Sequence, residues 1–185
     1  EYKRDGSYNY ILAYEESYGY MMGDYVRDKD AVTASMMIAE MAAYYFSKGM
    51  TLADAMDALY EQFGYYKNDV ANFAFEGEDG MKAMASIMDS LRANAPAEIA
   101  GWKVIGWSDY QASVRSDAGV ETAITLPKSN VLEYRLENGA KLIVRPSGTE
   151  PKIKVYLSGK GATDAESREV VERLRAQAKP LLGIA

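Results

Sequence analysis

The stretch VLEYRLENGAKLIVR, residues 131–145, constrains the fold more than any other part of the chain. Leu132, Tyr134 and Leu136 alternate with Glu133 and Arg135, the period of a strand with one buried face. KLIVR reads as the return strand. Asn138-Gly139 between them is the strongest short hairpin signal, because a type I′ turn needs positive φ twice. A further strand, KIKVYLS (152–158), follows the turn-rich RPSGTEP (145–151).

The flanking segments are helical. Thr163, with Glu166 in capping-box position, opens a helix reaching about Lys179. Val171, Leu174 and Ala178 face inward, and Pro180 closes it. Upstream, Met81, Met84, Ala85, Met88 and Leu91 repeat at helical spacing until Pro96, which reads as core packing. GWKVIGW (101–107) is a strand, and residues 111–130 have the composition of an extended loop. The order after residue 77 is helix, strand, hairpin, strand, helix. That is an α+β domain with helices on one face of a mainly antiparallel sheet.

The first part differs. NYILAY (9–14) reads as a short buried strand, and Gly19 and Gly23 mark a loop after it. From about Asp30 to Lys48 the pattern is helical, with Val32, Met36, Ala39, Ala43 and Phe46 on one face and Gly49 as the stop. Thr51 opens a second helix, with Asp54 in capping-box spacing, and Gly64 ends it. YYKNDVANFAFE (65–76) is a strand, and the acidic, glycine-rich EGEDG (76–80) places a boundary. The expected domains are 1–76 and 77–185.

Composition limits the chemistry. With 185 residues, 48% hydrophobic and 26% charged, the chain has the balance of a soluble globular protein, enough for one ordinary domain or two small ones. No apolar run approaches the roughly 20 residues of a membrane helix. The polar start is no signal peptide; it resembles mid-domain sequence, so the chain is expected to be a piece of a longer one. Cysteine and histidine are both absent. That excludes disulfides, thiol nucleophiles, a Ser-His-Asp triad and histidine or cysteine metal sites within these residues. A net charge of −6 argues against nucleic acid as partner, so any anion site must be local.

Three constellations carry polar chemistry. In RPSGTEPKIKVY, Arg145 offers a planar fork suited to phosphate oxygens, and Ser147 and Thr149 offer hydroxyls. Gly148 permits close backbone approach. Lys152, Lys154 and Tyr156 share one strand face, so Lys154 can add a second charge. The alternative reading is a polar turn with solvated lysines. In EESYG, Glu15, Glu16 and Ser17 can bind vicinal sugar hydroxyls, against the alternative of a charged surface loop. In GDYVRDKDA, acids before a helix suit the macrodipole, while Arg27 and Lys29 suit an anion or sugar contact as well as a charge-paired helix entry.

Together, EESYGYMMGDYVRDKDA and, about 115 residues later, RPSGTEPKIKVY resemble the carboxy-terminal part of an α-D-phosphohexomutase, the phosphoglucomutase and phosphomannomutase superfamily. FEGEDGMKAM and LPKSNVLEYRLENGAKLIVRPSGTEP extend the resemblance over essentially the whole chain. EESYG with RDKDA is most similar to bacterial phosphoglucomutases, some of which also accept mannose phosphates. Phosphoglucosamine mutases carry a related RPSGTEP loop but usually a glutamine in the sugar loop.

The resemblance implies a partial α/β sugar-binding domain (1–76) followed by a TBP-like α+β domain (77–185). It implies that Glu15, Ser17 and Lys29 bind the sugar and its phosphate. Arg145, Ser147, Gly148 and Thr149 would grip the non-reacting phosphate. Lys154, where many relatives have arginine, would support them. The implied reaction passes a phosphoryl group from a phosphoserine to a hexose phosphate and back, through glucose 1,6-bisphosphate. No catalytic residue and no metal ligand is expected in this chain. The phosphoserine and Mg2+ would belong to missing N-terminal domains, and the setting would be cytoplasmic, without nucleic acid or membrane. A phosphomannomutase, a freestanding sugar-phosphate binding module and a scaffold domain remain as alternatives.

Overall fold

The computed structural model describes residues 10–15, 18–26, 28–75 and 79–184, and in it the alternating second half builds an antiparallel eight-stranded sheet. The strands are β1 (Leu12–Tyr14), β2 (Tyr20–Met22), β3 (Tyr65–Ala74), β4 (Glu98–Ile99), β5 (Trp102–Asp109), β6 (Val114–Asp117), β7 (Val120–Ala123), β8 (Leu132–Leu136), β9 (Lys141–Pro146) and β10 (Lys152–Gly161). The helices are α1 (Ala31–Phe46), α2 (Leu52–Phe63), α3 (Gly80–Ala93) and α4 (Asp164–Leu181). The large sheet runs β3-β10-β9-β8-β5-β6-β7, with β4 paired to β5 off this path.

The chain divides into two compact units, Glu1–Leu59 and Tyr60–Ala185. The division precedes the 76/77 boundary expected from the sequence. The physical reason is β3, which pairs with β10 over its whole length, from Tyr65↔Gly161 to Ala74↔Lys152. Arg175 Nε on α4 also donates to Asp69 Oδ2 of β3 at 2.9 Å. β3 and α3 therefore both belong to the second unit, so the connection between them is internal to that unit. Residues 76–78 of it lie outside the described residues.

In the second unit the two sheet faces have different jobs. Leu132, Tyr134, Leu136, Leu142, Val144, Ile153, Val155 and Leu157 are buried against Met84, Met88 and Leu91 of α3 and Val171, Leu174 and Ala178 of α4. This is the expected layering, with both helices on one face. A fully buried side chain of this size contributes about 1.5–3 kcal/mol. α4 lies very close to β10: a Cβ at Gly159 would stand 2.7 Å from Ser167 O and 2.9 Å from Val171 Cγ2. Thr163 caps α4 as expected, its hydroxyl accepting from Glu166 N at 3.2 Å while Glu166 Oε2 accepts from Ala162 N at 2.8 Å.

The turns depart from expectation. Residues 111–130 contain the hairpin β6–β7, closed by Ala118-Gly119 (φ 49° and 84°). Ala100-Gly101 (φ 55° and 85°) closes β4–β5 in the same way. Both have the double positive φ of type I′ turns. Asn138-Gly139 does not: only Gly139 has positive φ, and the loop spans Glu137, Asn138 and Gly139, with Leu136 N donating to Ala140 O. Asn138 Oδ1 instead accepts from Ala140 N at 3.1 Å. The extra residue makes this a three-residue hairpin, in which one left-handed position suffices.

In the first unit β1 and β2 form a short hairpin, Leu12↔Met22 to Tyr14↔Tyr20. β1 was expected to be buried, yet Ile11 is 76% exposed and Tyr14 74%. The expected stripe of α1 is also outward, with Val32 80% and Phe46 83% exposed, and Ala34 is buried instead. AVTASMMIAEMAAYYF is apolar almost all round, so its periodicity selects no single face. The Thr51–Asp54 capping box forms as expected, with Thr51 N donating to Asp54 Oδ2 at 2.7 Å and Asp54 N to Thr51 Oγ1 at 3.2 Å.

Two outcomes follow. Gly159→Ala should lower unfolding free energy by about 1–3 kcal/mol, because the new methyl group overpacks against α4 backbone. Denaturant titration followed by far-UV circular dichroism measures it. The second concerns Asp69, whose carboxyl is held below its usual range, chiefly by its hydrogen bond with Arg175. A depressed folded value contributes stability above the unfolded pKa of about 3.9 and loses it as pH falls through the folded value. Asp69→Asn should therefore cost about 0.5–1 kcal/mol at pH 7, the scale of a partly exposed pair. Wild type and variant should converge toward pH 2 in thermal melts.

Candidate functional site

The phosphate-type constellation is built by β9, β10 and the turn between them. Arg145 and Lys154 are register partners, so they stand side by side on adjacent strands. The alternation of β10 buries Ile153 and Val155 and turns Lys152, Lys154 and Tyr156 to the opposite face. Neither Arg145 nor Lys154 has a hydrogen-bond or ion-pair partner among the described residues. That is unlike Arg92, Arg135, Arg168 and Arg175, which all reach carboxylates.

Ser147 organises the turn. Its hydroxyl oxygen accepts from Thr149 N at 3.4 Å and Glu150 N at 3.2 Å, and its own N–H donates to Lys152 O at 2.8 Å. A hydroxyl oxygen that accepts twice keeps its proton for an outside acceptor. The Gly148 N–H and the Thr149 hydroxyl have no partner among the described residues. Space beside Gly148 is open, with nothing within 4 Å of where a Cβ would stand. The arrangement therefore presents a guanidinium, an ammonium, two hydroxyls and one N–H around an uncovered turn. This is the donor set of an anion site.

The sugar-type constellation lies in the first unit. Glu15 N donates to Gly19 O at 2.8 Å, closing the connection from β1 to β2. Lys29 Nζ stands 3.0 Å from Glu15 Oε1. Glu15 and Lys29, fourteen positions apart in sequence, are thus brought together, whereas Ser17, Glu16 and Arg27 lie outside the described residues. The Lys29 stem crosses Gly19 so closely that a Cβ there would stand 2.4 Å from Lys29 Cδ. The hydrogen bond with Glu15, then its charge, raises the Lys29 pKa above its usual value. Asp30 caps α1, accepting from Val32 N at 3.0 Å, and so fixes the position of Lys29. The carboxylate and ammonium together offer an acceptor and a donor to neighbouring hydroxyls.

Sequence reasoning left two residues unassigned here. Glu150 was within the quoted motif and is ion-paired with Lys152. Asn72 pairs with Lys154 from the β3 side, completing a row Arg145–Lys154–Asn72 on one face. Only the β3–β10 pairing reveals it, and no local pattern signals a partner 82 positions away. A cavity of about 200 Å³ elsewhere, lined by Arg92, Trp107, Asp109 and Tyr134 among others, belongs to the helix-covered side. Its polar groups satisfy one another, as Asp109 accepts from Arg92 Nε at 3.0 Å and from Gln111 N at 2.9 Å. Burial pushes the Tyr134 hydroxyl up to about 12.

The family model for the phosphoglucomutase/phosphomannomutase C-terminal domain matches residues 72–177, and that for the alpha/beta/alpha domain III matches residues 3–63. A phosphoglucomutase of Staphylococcus haemolyticus (strain JCSC1435) is 40% identical over 156 residues, covering 83% of this chain and 28% of that protein. A phosphoglucomutase of Staphylococcus aureus (strain MRSA252) gives the same identity and coverage. The chain thus spans little more than a quarter of the length of these relatives. Among solved structures, the open form of parafusin from Paramecium, titled an exocytosis-sensitive phosphoprotein and a phosphoglucomutase, superposes with a TM-score of 0.65 at 18% identity. That alignment covers 100% of this chain and 32% of the other, and supports the fold. With more than half of its length matched by the C-terminal domain model alone, the chain belongs to the phosphoglucomutase/phosphomannomutase family.

Proposed function

We propose that this chain is the ligand-gripping part of a phosphoglucomutase, an isomerase interconverting glucose 1-phosphate and glucose 6-phosphate by intramolecular phosphoryl transfer. In this reading a phosphoserine outside these residues gives its phosphoryl group to the sugar. Glucose 1,6-bisphosphate is the intermediate, and its other phosphate returns to the serine. The observation that carries the role of this chain is the pair Arg145 and Lys154, adjacent beside the Ser147 turn and with side chains that have no ion-pair partner among the described residues.

The two units divide the recognition. Arg145, Ser147, Gly148, Thr149 and Lys154 hold the phosphate that is not reacting. Glu15, Ser17 and Lys29 hold the sugar, its hydroxyls and the charge of its phosphate. Phosphoryl transfer depends on positioning and electrostatic stabilisation, so groups that fix the remote end of the substrate act on the rate. A sugar that must bind in two orientations needs a grip that reads a phosphate and hydroxyls without reading which end is presented.

In this reading the Mg2+ expected of the family is held outside these residues; among the described residues no group of carboxylates could hold a metal ion. A phosphomannomutase or dual-specificity activity uses the same side chains, since glucose and mannose differ at one hydroxyl.

Two experiments test this. Calorimetric titration of the 185-residue chain with glucose 1,6-bisphosphate should give weak, phosphate-dependent heat that Arg145→Ala removes; equal heat from both would contradict the assignment. In the whole parent enzyme, Lys154→Ala should raise KM more than it lowers kcat, as loss of uniform binding requires. An unchanged KM would take Lys154 out of the site.

A further inference from the structure

The positive surroundings of the Ser147 turn are interrupted by one carboxylate, Glu150. Its backbone N–H donates to Ser147 Oγ at 3.2 Å, which fixes the residue against the turn. Its side chain is ion-paired with Lys152 Nζ, and both partners are exposed, 60% and 36% respectively. Lys152 chiefly, and Lys154 to a lesser degree, hold the Glu150 carboxyl below its usual range, so it is ionised at neutral pH. Lys154 itself forms no ion pair with it among the described residues.

An anion held by Arg145, Ser147 and Lys154 therefore meets a fixed negative charge on the same turn. The Lys152 ammonium, on the Lys154 face of β10, is already neutralised by that charge. A turn shaped only for tight anion binding has no use for such a carboxylate. We propose that Glu150 is the counter-charge of the phosphate grip: it occupies Lys152 and weakens the hold on the phosphate, so that the ligand can leave and return the other way round. This rests on the reading of the turn as an anion grip. It adds that the grip is set for release.

Removing one like charge from the neighbourhood of a bound phosphate dianion in water-like surroundings corresponds to roughly a three- to tenfold change in affinity. The test is a titration of the 185-residue chain with glucose 1,6-bisphosphate at low ionic strength, in wild type, Glu150→Gln, Lys152→Gln and Arg145→Ala. Glu150→Gln keeps the shape and the backbone N–H and should bind about three- to tenfold more tightly. Lys152→Gln leaves the carboxylate uncompensated and should bind more weakly. The Glu150→Gln gain should shrink near 1 M salt, where the screening length is about 3 Å. If the Glu150–Lys152 pair only braced the turn, both variants would bind more weakly, and the proposal would be overturned. Unchanged affinity in Glu150→Gln, with binding lost in Arg145→Ala, overturns the counter-charge alone. Undiminished binding in Arg145→Ala, or no binding in wild type, overturns the anion grip and this proposal with it.

Discussion

β10 is the strand on which the rest of the second unit depends. It pairs with β3 over ten residues on one side and with β9 on the other. Its alternation makes one face dry and one wet: Ile153, Val155 and Leu157 enter the core, and Lys152, Lys154 and Tyr156 do not. A one-residue slip would exchange the two sets, burying lysines and exposing the core. The glycine at 159 locks the strand further, because α4 backbone occupies the space a side chain would need. The position of Lys154 beside Arg145 is therefore a consequence of core packing on the opposite face.

Charge separates the site from its surroundings. The chain is acidic overall, and the arginines of the second unit are largely committed to carboxylates within the fold. Arg135, for example, reaches Glu133 of its own strand at 2.8 Å and Asp117 of β6 at 2.6 Å. Against that background two adjacent cations, Arg145 and Lys154, with no ion-pair partner among the described residues carry information. In the first unit the logic is different: Lys29 is partnered, and its partner Glu15 comes from another of the three constellations, EESYG.

Much of this was legible in the sequence, for identifiable reasons. The helix N-caps at Thr51 and Thr163 rest on bonds between residues three apart, so local pattern finds them. The wet face of β10 follows from strict alternation. Part of what was missed depends on distant chain. The pairing of β3 with β10 places Asn72 beside Lys154. The outward face of α1 was misread because its apolar residues encircle the helix. The β6–β7 hairpin was read as loop because its turn is Ala-Gly, whereas Asn138-Gly139 adopts the longer hairpin loop. Turn type followed loop length more closely than residue identity.

The central claim is that the Arg145–Lys154 pair and the Ser147 turn form an anion site. Backbone amide NMR of the chain during addition of glucose 1,6-bisphosphate tests it most directly, because it reports location rather than affinity. The account predicts saturable shifts concentrated at Arg145, Ser147, Gly148, Thr149 and Lys154, with the buried residues of β10 such as Val155 little changed. Saturable shifts that leave the 145–149 turn unmoved and gather elsewhere would contradict it.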